Sequence, residues 1–293
     1  MSCYKIAIVL LVLLISTAQT AQAAPPQKLT SSGRQKMDPV MMNDGKSIIF
    51  TEEEKFNLWS LKRLTLATGL IEPLHAGAIT SEFCASFSAD GKDYAFLQNT
   101  ANLHVKLVIQ SADGSNKVEY DPGSGFAGIR NVSLAPDGSR VLFAFPRLNK
   151  MQQILSLNRS GKNLQELTAG DSYDFCPKYS PAGSRIVFAS TRSGNFDIYV
   201  MSAGGTGLLQ ITNHKGLDTH PAWSPDGGQI AFTSLRQGNY DIYVVDADGT
   251  NLRRVTQDDE RDDFACWHVD GKRLVVVSER MGRHDLYLVD VPQ

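Results

Sequence analysis

The sequence predicts an all-β protein, a six-bladed β-propeller closed by an N-terminal strand that completes the last blade. The segment SPAGSRIVFASTRSGNFDIYV at residues 180–200 returns as SPDGGQIAFTSLRQGNYDIYV at residues 224–244. A turn glycine recurs in steps of 46, 47, 45, 44 and 44 residues, at Gly45, Gly91, Gly138, Gly183, Gly227 and Gly271. A period in the forties with several strand patterns per repeat is typical of propeller blades.

The N-terminus has the pattern of an export signal. Lys5 precedes an apolar run at residues 6–15, and Ala21-Gln22-Ala23 suits a cleavage site. We expect residues 1–23 to be a signal peptide and residues 24–293 to form the propeller, with 45 residues for each of six repeats. We expect a periplasmic or secreted protein without a transmembrane segment, because no later apolar run approaches about 20 residues.

The fourth repeat indicates how one repeat becomes one blade. Strands are expected at residues 176–180, 185–190, 197–201 and 208–212, because these runs alternate and are separated by glycine-containing turns. Four antiparallel strands make a blade. Asp-Gly pairs supply the positive φ of the first turn in five repeats, and only the fourth repeat has Ala182-Gly183 instead.

The closure of the ring is predicted from the two chain ends. The last repeat stops after its third strand, at residues 285–289. Fourth strands end in a threonine 15 residues before the next turn glycine, and Thr30 stands 15 residues before Gly45. We therefore expect residues 27–30 to supply the fourth strand of the last blade, which removes an open sheet edge.

Composition and motifs exclude several function classes. The net charge of −2 and the absence of a basic cluster argue against a nucleic-acid partner. Neither a GxSxG elbow nor an HExxH motif occurs. Cys84, Cys176 and Cys266 lie on predicted inner strands, where we interpret them as buried thiols rather than as catalytic or redox groups. We expect a monomer.

A candidate site emerges when the inner strands are aligned on their turn glycines. The residues nine positions before these glycines, with Asp263 beside the last, are Lys36, Glu82, Ile129, Asp174, Asp218, Asp262 and Asp263. We predict that the acidic ones form a wall around one mouth of the central channel, and that His220 near the start of an inner strand faces the channel. Arg192, Arg236 and Arg280 recur at 44-residue steps and are predicted to form the rim.

Two interpretations of these charges remain open. In the first, each aspartate pairs with an arginine as a structural ion pair between blades. Alternatively, converging carboxylates would bind a divalent cation or a basic group of a partner, because like charges at short range repel unless they are neutralised. No metal ligand set is assigned from the sequence, and no cofactor is required by either interpretation.

Repeats four to six resemble the propeller units of the TolB family, in the segments SPAGSRIVFASTRSGNFDIYVM and WSPDGGQIAFTSLRQGNYDIYVV and in the LLQIT and LRRVT that follow them. The resemblance, which is of the WD40-like PD40 repeat type, implies a six-bladed periplasmic propeller that binds the peptidoglycan-associated lipoprotein at its channel mouth. TolB also has an N-terminal α/β domain, for which the repeats leave no room in this chain.

The function expected from these features is that of an exported, non-enzymatic interaction or scaffold module of the cell envelope, which binds an envelope protein or peptide, or a cation, at the channel mouth. The alternative is an enzyme. Similar propellers occur as oligogalacturonate lyases, so a metal-assisted polysaccharide lyase or hydrolase would use His220 with the acidic residues.

Overall fold

The computed structural model describes residues 25–101, 104–123, 128–146 and 151–292. These ranges contain 24 β-strands and no helix, which are arranged in six antiparallel sheets of four strands. The predicted all-β propeller is confirmed. The predicted signal peptide lies outside the described residues.

Each sheet is one blade, and its strands follow one another from the innermost to the outermost. The first described strand, β1 (Gln27–Lys28), belongs to blade 6. Blade 1 contains β2 (Lys36–Met41), β3 (Ser47–Lys55), β4 (Leu58–Thr65) and β5 (Leu70–Pro73). Blade 2 contains β6 (Ser81–Phe87), β7 (Asp93–Ala101), β8 (His104–Ser111) and β9 (Val118–Tyr120). Blade 3 contains β10 (Arg130–Leu134), β11 (Arg140–Pro146), β12 (Gln152–Asn158) and β13 (Gln165–Glu166).

Blades 4 and 5 of the second half have shorter and more uniform strands. Blade 4 contains β14 (Asp174–Tyr179), β15 (Arg185–Ser190), β16 (Asp197–Ser202) and β17 (Leu209–Gln210). Blade 5 contains β18 (Asp218–Trp223), β19 (Gln229–Ser234), β20 (Asp241–Asp246) and β21 (Arg253–Arg254). Blade 6 contains β22 (Asp262–Trp267), β23 (Arg273–Arg280) and β24 (Arg283–Asp290) before β1. The four strands expected in blade 4 are all present within two residues of their predicted starts.

The ring closes where the sequence places the closure. β1 pairs antiparallel with β24, and Leu29 donates its backbone N–H to the carbonyl oxygen of Leu286 at 2.8 Å. The Thr30 hydroxyl donates to the Asp285 carboxylate at 2.8 Å and accepts the N–H of Leu286 at 2.9 Å. Blade 4 has the same contact without a break in the chain, because the Thr212 hydroxyl accepts the N–H of Ile198 at 2.9 Å.

The core lies between neighbouring blades, so the second and third strands are buried on both faces. A phenylalanine occupies the same position in five of the second strands, at Phe50, Phe96, Phe143, Phe188 and Phe232. Burial of each such side chain contributes about 2–3 kcal/mol. The alternation expected at residues 185–190 is therefore wrong: these runs are apolar almost throughout, because neither face of the strand meets water.

Each innermost strand is interrupted by a β-bulge with one residue in the left-handed region. The six bulge residues stand seven positions before the turn glycines, have φ between 48° and 55°, and are Asp38, Cys84, Asn131, Cys176, His220 and Phe264. The ladder between the first and second strands shifts register at or beside these positions in every blade. A bulge adds one residue to one strand of the pair and thereby changes the direction in which the side chain points. We refer to these six residues as the bulge ring.

Candidate functional site

The central channel contains two cavities that meet at the bulge ring. The larger, of about 450 Å³, lies on the side of the Asp-Gly turns, and the smaller, of about 370 Å³, opens on the side where the first strands begin, here called the upper face. Five bulge-ring residues line both cavities, and Cys84 lines the smaller one. The ring is therefore the waist of the channel.

The upper mouth of the channel is apolar and aromatic. Its cavity is lined by side chains from the bulge ring, from the residues just before it and from the turn before β16, among them Met37, Phe83, Phe175, Phe196 and Phe264. All five are half-buried. The rings of Phe175 and Phe196 meet edge to face with centroids 5.6 Å apart. Arg130 is the one charged residue that lines this cavity one position before the ring.

The carboxylates expected on the channel wall lie inside the blades instead. The side chains of Asp174, Asp218 and Asp262 are fully buried and line neither cavity. Each is bound by an arginine of its own blade, in the pairs Asp174–Arg192 at 3.1 Å, Asp218–Arg236 at 2.8 Å and Asp262–Arg280 at 3.1 Å. The pairs thus join the first strand to the turn after the second strand, within one blade rather than between blades.

The other members of the predicted wall are also buried. Lys36 pairs with Glu52 at 3.0 Å and with Asp285 at 3.4 Å. The Nδ1 atom of His75 lies 2.6 Å from Oε2 of Glu82. The sequence alignment chose these positions because they recur, but they stand before the bulge, where the side chain faces the neighbouring strand. Side-chain hydrogen bonds show this orientation, since the Ser234 and Ser278 hydroxyls on the second strands donate to the Asp218 and Asp262 carboxylates.

The predicted rim arginines are held against the blades. The Arg236 guanidinium lies 5.4 Å from the Phe232 ring centroid and 4.7 Å from that of Tyr243, and Arg192 stacks in the same way on blade 4. Cation–π contacts of this kind add about 0.5–2 kcal/mol. With the carboxylate on one side and two rings on the other, Arg192 and Arg236 are committed to their own blades. Arg280 stacks on Tyr287 and also pairs with Asp258 at 3.1 Å.

His220 faces the channel, as the sequence predicted, and Asp263 lies behind it. His220 Nδ1 donates to Asp263 Oδ1 at 2.7 Å, and its ring stacks on Phe264 with centroids 4.1 Å apart. Burial alone would lower the pKa of His220, but Asp263 and Cys176 outweigh burial and hold it well above its usual 6.5. Burial opposes ionisation of Asp263, but His220 and Arg261 hold its pKa far below its usual range.

The bulge ring is the channel-lining element that the sequence analysis missed. A signal was present, because proline follows the bulge residue directly in three repeats, at Pro39, Pro177 and Pro221. Proline lacks the N–H that a ladder needs, so inside a strand it marks a bulge or an edge. The bulge shifts the channel-facing position away from the residues that simple alternation selects.

The thiols are on inner strands, as expected, and all three contact the channel cavities. Cys84 and Cys176 belong to the bulge ring, and Cys266 lines the larger cavity two positions beyond it. All three are free. Among the described residues, no group of three or more His, Cys, Asp or Glu side chains has the arrangement to hold a metal ion. The described ranges also contain no helix that could cross a membrane.

Comparison with known proteins confirms the TolB-like character of the repeats. Residues 171–293, which comprise blades 4 to 6 without β1, match the family described as TolB beta propeller domain. A segment of 69 residues is 34% identical to the Tol-Pal system protein TolB of Ruegeria sp. (strain TM1040). That segment is 22% of this chain and 16% of the relative, so the match spans a small part of the curated protein.

Solved structures share the fold over most of the chain. The putative TolB from Agrobacterium tumefaciens is similar with a TM-score of 0.69 and 21% identity, over 90% of this chain and 93% of that one. An oligogalacturonate lyase in complex with manganese is similar with a TM-score of 0.60 and 14% identity, over 91% and 93% of the two chains. At these identities the likeness establishes the fold alone, because one propeller fold carries many unrelated functions.

Proposed function

The chain is a TolB-like β-propeller, and we propose that it is a non-enzymatic interaction module of the cell envelope that binds a partner segment at the upper mouth of its channel. The observation that carries this proposal is the apolar lining of that mouth by Phe83, Phe175, Phe196 and Phe264. An exposed aromatic concavity at the centre of one face is the usual position of binding hot spots.

Further exposed apolar side chains on the same face support the proposal. Phe56, Ile79 and Met281 are the most exposed large hydrophobic residues, at 90%, 90% and 88%. Phe56 and Met281 occupy turns between second and third strands, and Ile79 lies in the connection between blades 1 and 2. The antiparallel order of the strands brings both kinds of connection to the upper face. A partner that covers this face would remove all three from water.

The partner to test first is the peptidoglycan-associated lipoprotein of the same organism, because the resemblance to the TolB family implies it. The soluble domain of that lipoprotein is titrated into the propeller by calorimetry. Phe175→Ala should weaken binding about tenfold, the effect of losing one aromatic anchor. Leu209→Ala on the outermost strand of the same blade is the matched control, since Leu209 is 48% exposed and lies away from the mouth.

Two results would count against this assignment. Equal affinity of the parent and Phe175→Ala would remove the mouth as the binding site. An equal loss in Leu209→Ala would move the contact to the outer rim of blade 4. The Asp218→Asn variant should bind with parental affinity in its folded fraction, because Asp218 lies inside the blade and cannot touch a partner.

The enzymatic alternative rests on His220, which faces the channel of a fold that manganese-bound oligogalacturonate lyase shares. Metal analysis of the purified protein separates the two proposals. We expect no stoichiometric manganese or zinc. Metal present at one ion per chain and removed only by a chelator would favour the metal-assisted lyase or hydrolase.

A further inference from the structure

One lysine interrupts a ring of small residues in the larger cavity. Each innermost strand contributes to this cavity the residue that stands two positions after the bulge ring. These residues are Val40, Ser86, Ser133, Lys178, Ala222 and Cys266. Five of them are small and uncharged, which leaves space at this level of the channel, and Lys178 is the exception. The cavity volume of about 450 Å³ is in the range of small-molecule sites.

Packing between the blades does not account for this lysine. At the same position in blade 2, the Ser86 hydroxyl accepts the backbone N–H of Leu134 at 2.9 Å. In blade 3 the Ser133 hydroxyl accepts the backbone N–H of Tyr179 at 3.0 Å. Both bonds join one blade to the next. An ammonium group has no acceptor and cannot replace a serine in that role, so Lys178 brings a charge to a position that elsewhere links the blades.

The ammonium group of Lys178 is available to a ligand. Lys178 is half-buried, and within the described ranges its ammonium group takes part in no ion pair and no side-chain hydrogen bond. An unpaired cation in a narrow channel attracts anions more strongly than one on an open surface, because the low-dielectric walls focus its field. The cavity therefore favours a ligand with at least one negative group.

A second unpaired charge, of opposite sign, lines the same cavity from blade 1. Asp38 is a bulge-ring residue, and among the described residues its carboxylate has no cationic partner. It accepts the S–H of Cys84 at 2.8 Å. Burial, with the Asp38 charge beside it, raises the pKa of the Cys84 thiol, which stays neutral and leaves the carboxylate charge uncompensated. The backbone does not require this charge, since Asn131 adopts a φ of 48° at the same position of blade 3.

The two unpaired charges stand on opposite sides of the channel. The first strands of neighbouring blades contact each other all round the ring, from blade 1 to blade 6 and back to blade 1. Blade 4, which carries Lys178, is therefore directly across the channel from blade 1, which carries Asp38. His220, the other basic side chain of this cavity, is already paired with Asp263 at 2.7 Å. A ligand that spans the cavity thus meets a cation on one side and an anion on the other.

The wall between these charges is aromatic and also offers backbone hydrogen bonds. Phe87, Tyr179, Trp223 and Trp267 line the cavity. The two indoles are fixed, since each donates its N–H to a carbonyl oxygen of the preceding blade at 3.1 Å. Each first strand is also the inner edge of its sheet, and edge strands present backbone N–H and C=O groups that the ladder leaves unpaired. Such groups suit the amide bond of a peptide.

We propose that the larger cavity binds a short zwitterionic peptide with an apolar side chain. Its terminal carboxylate binds Lys178, its terminal ammonium group binds Asp38, and its side chain packs on the aromatic wall. A simple anion would satisfy Lys178 but would be repelled by Asp38, whereas the two ends of a free peptide complement both charges. This inference does not depend on the proposed function, which concerns the other cavity.

The first test needs only the parent protein. Alanyl-phenylalanine is titrated into it by calorimetry, beside the N-acetylated peptide, which lacks the cation, and the C-terminal amide, which lacks the anion. We expect saturable binding of the free peptide with a Kd below about 1 mM, and at least about tenfold weaker binding of each derivative, because each loses one charge-assisted contact. Absence of saturable binding, or a derivative that binds as tightly as the free peptide, would overturn the proposal.

Two variants assign the ends of the peptide. Lys178→Met should bind the free peptide and its amide equally, and Asp38→Asn, which suits the left-handed backbone, should bind the free and the acetylated peptide equally. Lys162→Met is the matched control, because Lys162 is exposed in a turn on the same face and lies outside the cavity. It should bind with parental affinity. A variant that keeps the parental discrimination would contradict the role of its residue, whereas a loosened fold would weaken all three peptides alike.

The position of the peptide is checked through the indole N–H signals in two-dimensional NMR spectra. Those of Trp223 and Trp267 should move as alanyl-phenylalanine is added, and that of Trp59 should stay, because Trp59 lines neither cavity. Movement confined to Trp59 would place the peptide outside the channel and refute the site. The titration of the lipoprotein concerns the upper mouth, so either proposal can fail while the other holds.

Discussion

Blades 1 and 5 have charges of opposite sign at the same position of the first strand, and each charge is neutralised from a different position. In blade 5 the carboxylate of Asp218 on the first strand receives Arg236 at 2.8 Å. In blade 1 the equivalent position is Lys36, and its ammonium group meets Glu52 on the second strand at 3.0 Å. Blade 3 has the apolar Ile129 there, packed near Phe145. What the blade requires at this position is a closed contact between two strands, and either sign of charge, or none, can supply it.

The same difference explains where family similarity is detectable. The set of aspartate, serine and arginine recurs in blades 4, 5 and 6, all within residues 171–293, which match the TolB propeller family. Blades 1 to 3 have other residues at the aspartate position. They are Lys36, which pairs with Glu52, Glu82, which pairs with His75, and the apolar Ile129. The strand order is identical in all six. The architecture therefore tolerates changes that remove the sequence signal.

The largest effect should come from removing β1. This strand precedes blade 1 in the chain and forms the outermost strand of blade 6. Deletion of residues 27–30 removes β1 and the Thr30–Asp285 contact, and leaves the edge of β24 open. We expect the melting temperature to fall by more than about 10 °C. Deletion of residues 25–26, which are exposed and outside β1, is the control and should change it by less than about 1 °C.

The next effect separates charge from contact in blade 5. Asp218→Asn leaves Arg236 without its anion at a site where the aspartate is fully buried, and should cost about 3 kcal/mol in the free energy of unfolding. The double change Asp218→Leu with Arg236→Met should cost less than the single change, as blade 3 suggests. Urea unfolding measures both. A double variant less stable than the single one would refute the equivalence of the blades.

A smaller effect is expected from the inverted pair in blade 1. Glu52→Gln removes the anion of the Lys36 pair, but Lys36 keeps the Asp285 carboxylate and two backbone carbonyl oxygens as acceptors. We expect a loss of about 1–2 kcal/mol in urea unfolding, less than for Asp218→Asn. A loss as large as that of Asp218→Asn would mean that the additional acceptors do not compensate.

The smallest effect depends on pH and concerns His220. Its raised pKa contributes stability that is complete below the usual 6.5 and disappears as the pH rises through the folded value. The lowered pKa of Asp263 contributes stability above its usual 3.8 that disappears as the pH falls. The stability difference between the parent and His220→Asn should therefore be largest between about pH 4 and 6.5, at about 1 kcal/mol. A difference that grows above pH 7 would contradict this sign.

The architecture could be predicted from the sequence because the same pattern of strands and turn glycines recurs in six repeats. Six turn glycines and the spacing of Thr30 determine the blade number and the closure without any tertiary information. The site was harder to predict, since alignment identified Asp174 and Asp218 as recurring charges but not their direction. A single bulge residue reverses which side chain faces the channel, and its backbone conformation is set by packing in three dimensions. His220 was found because it stands on the bulge itself, whereas Cys176 was interpreted as a core thiol.

The residues of the bulge ring, which line the channel, are separate from the residues that form the core between the blades. Each blade contributes one side chain to the waist, and these six residues are carried on kinks rather than on the buried faces of the sheets. Random variation of these six codons alone would change the side chains that line the channel, while the phenylalanine layer between the blades stays intact. The left-handed backbone would bias such a library toward Asn, Asp, His and Gly. Cys84, Cys176 and Phe264 depart from that bias, and a selection that recovers them would reveal a demand other than folding.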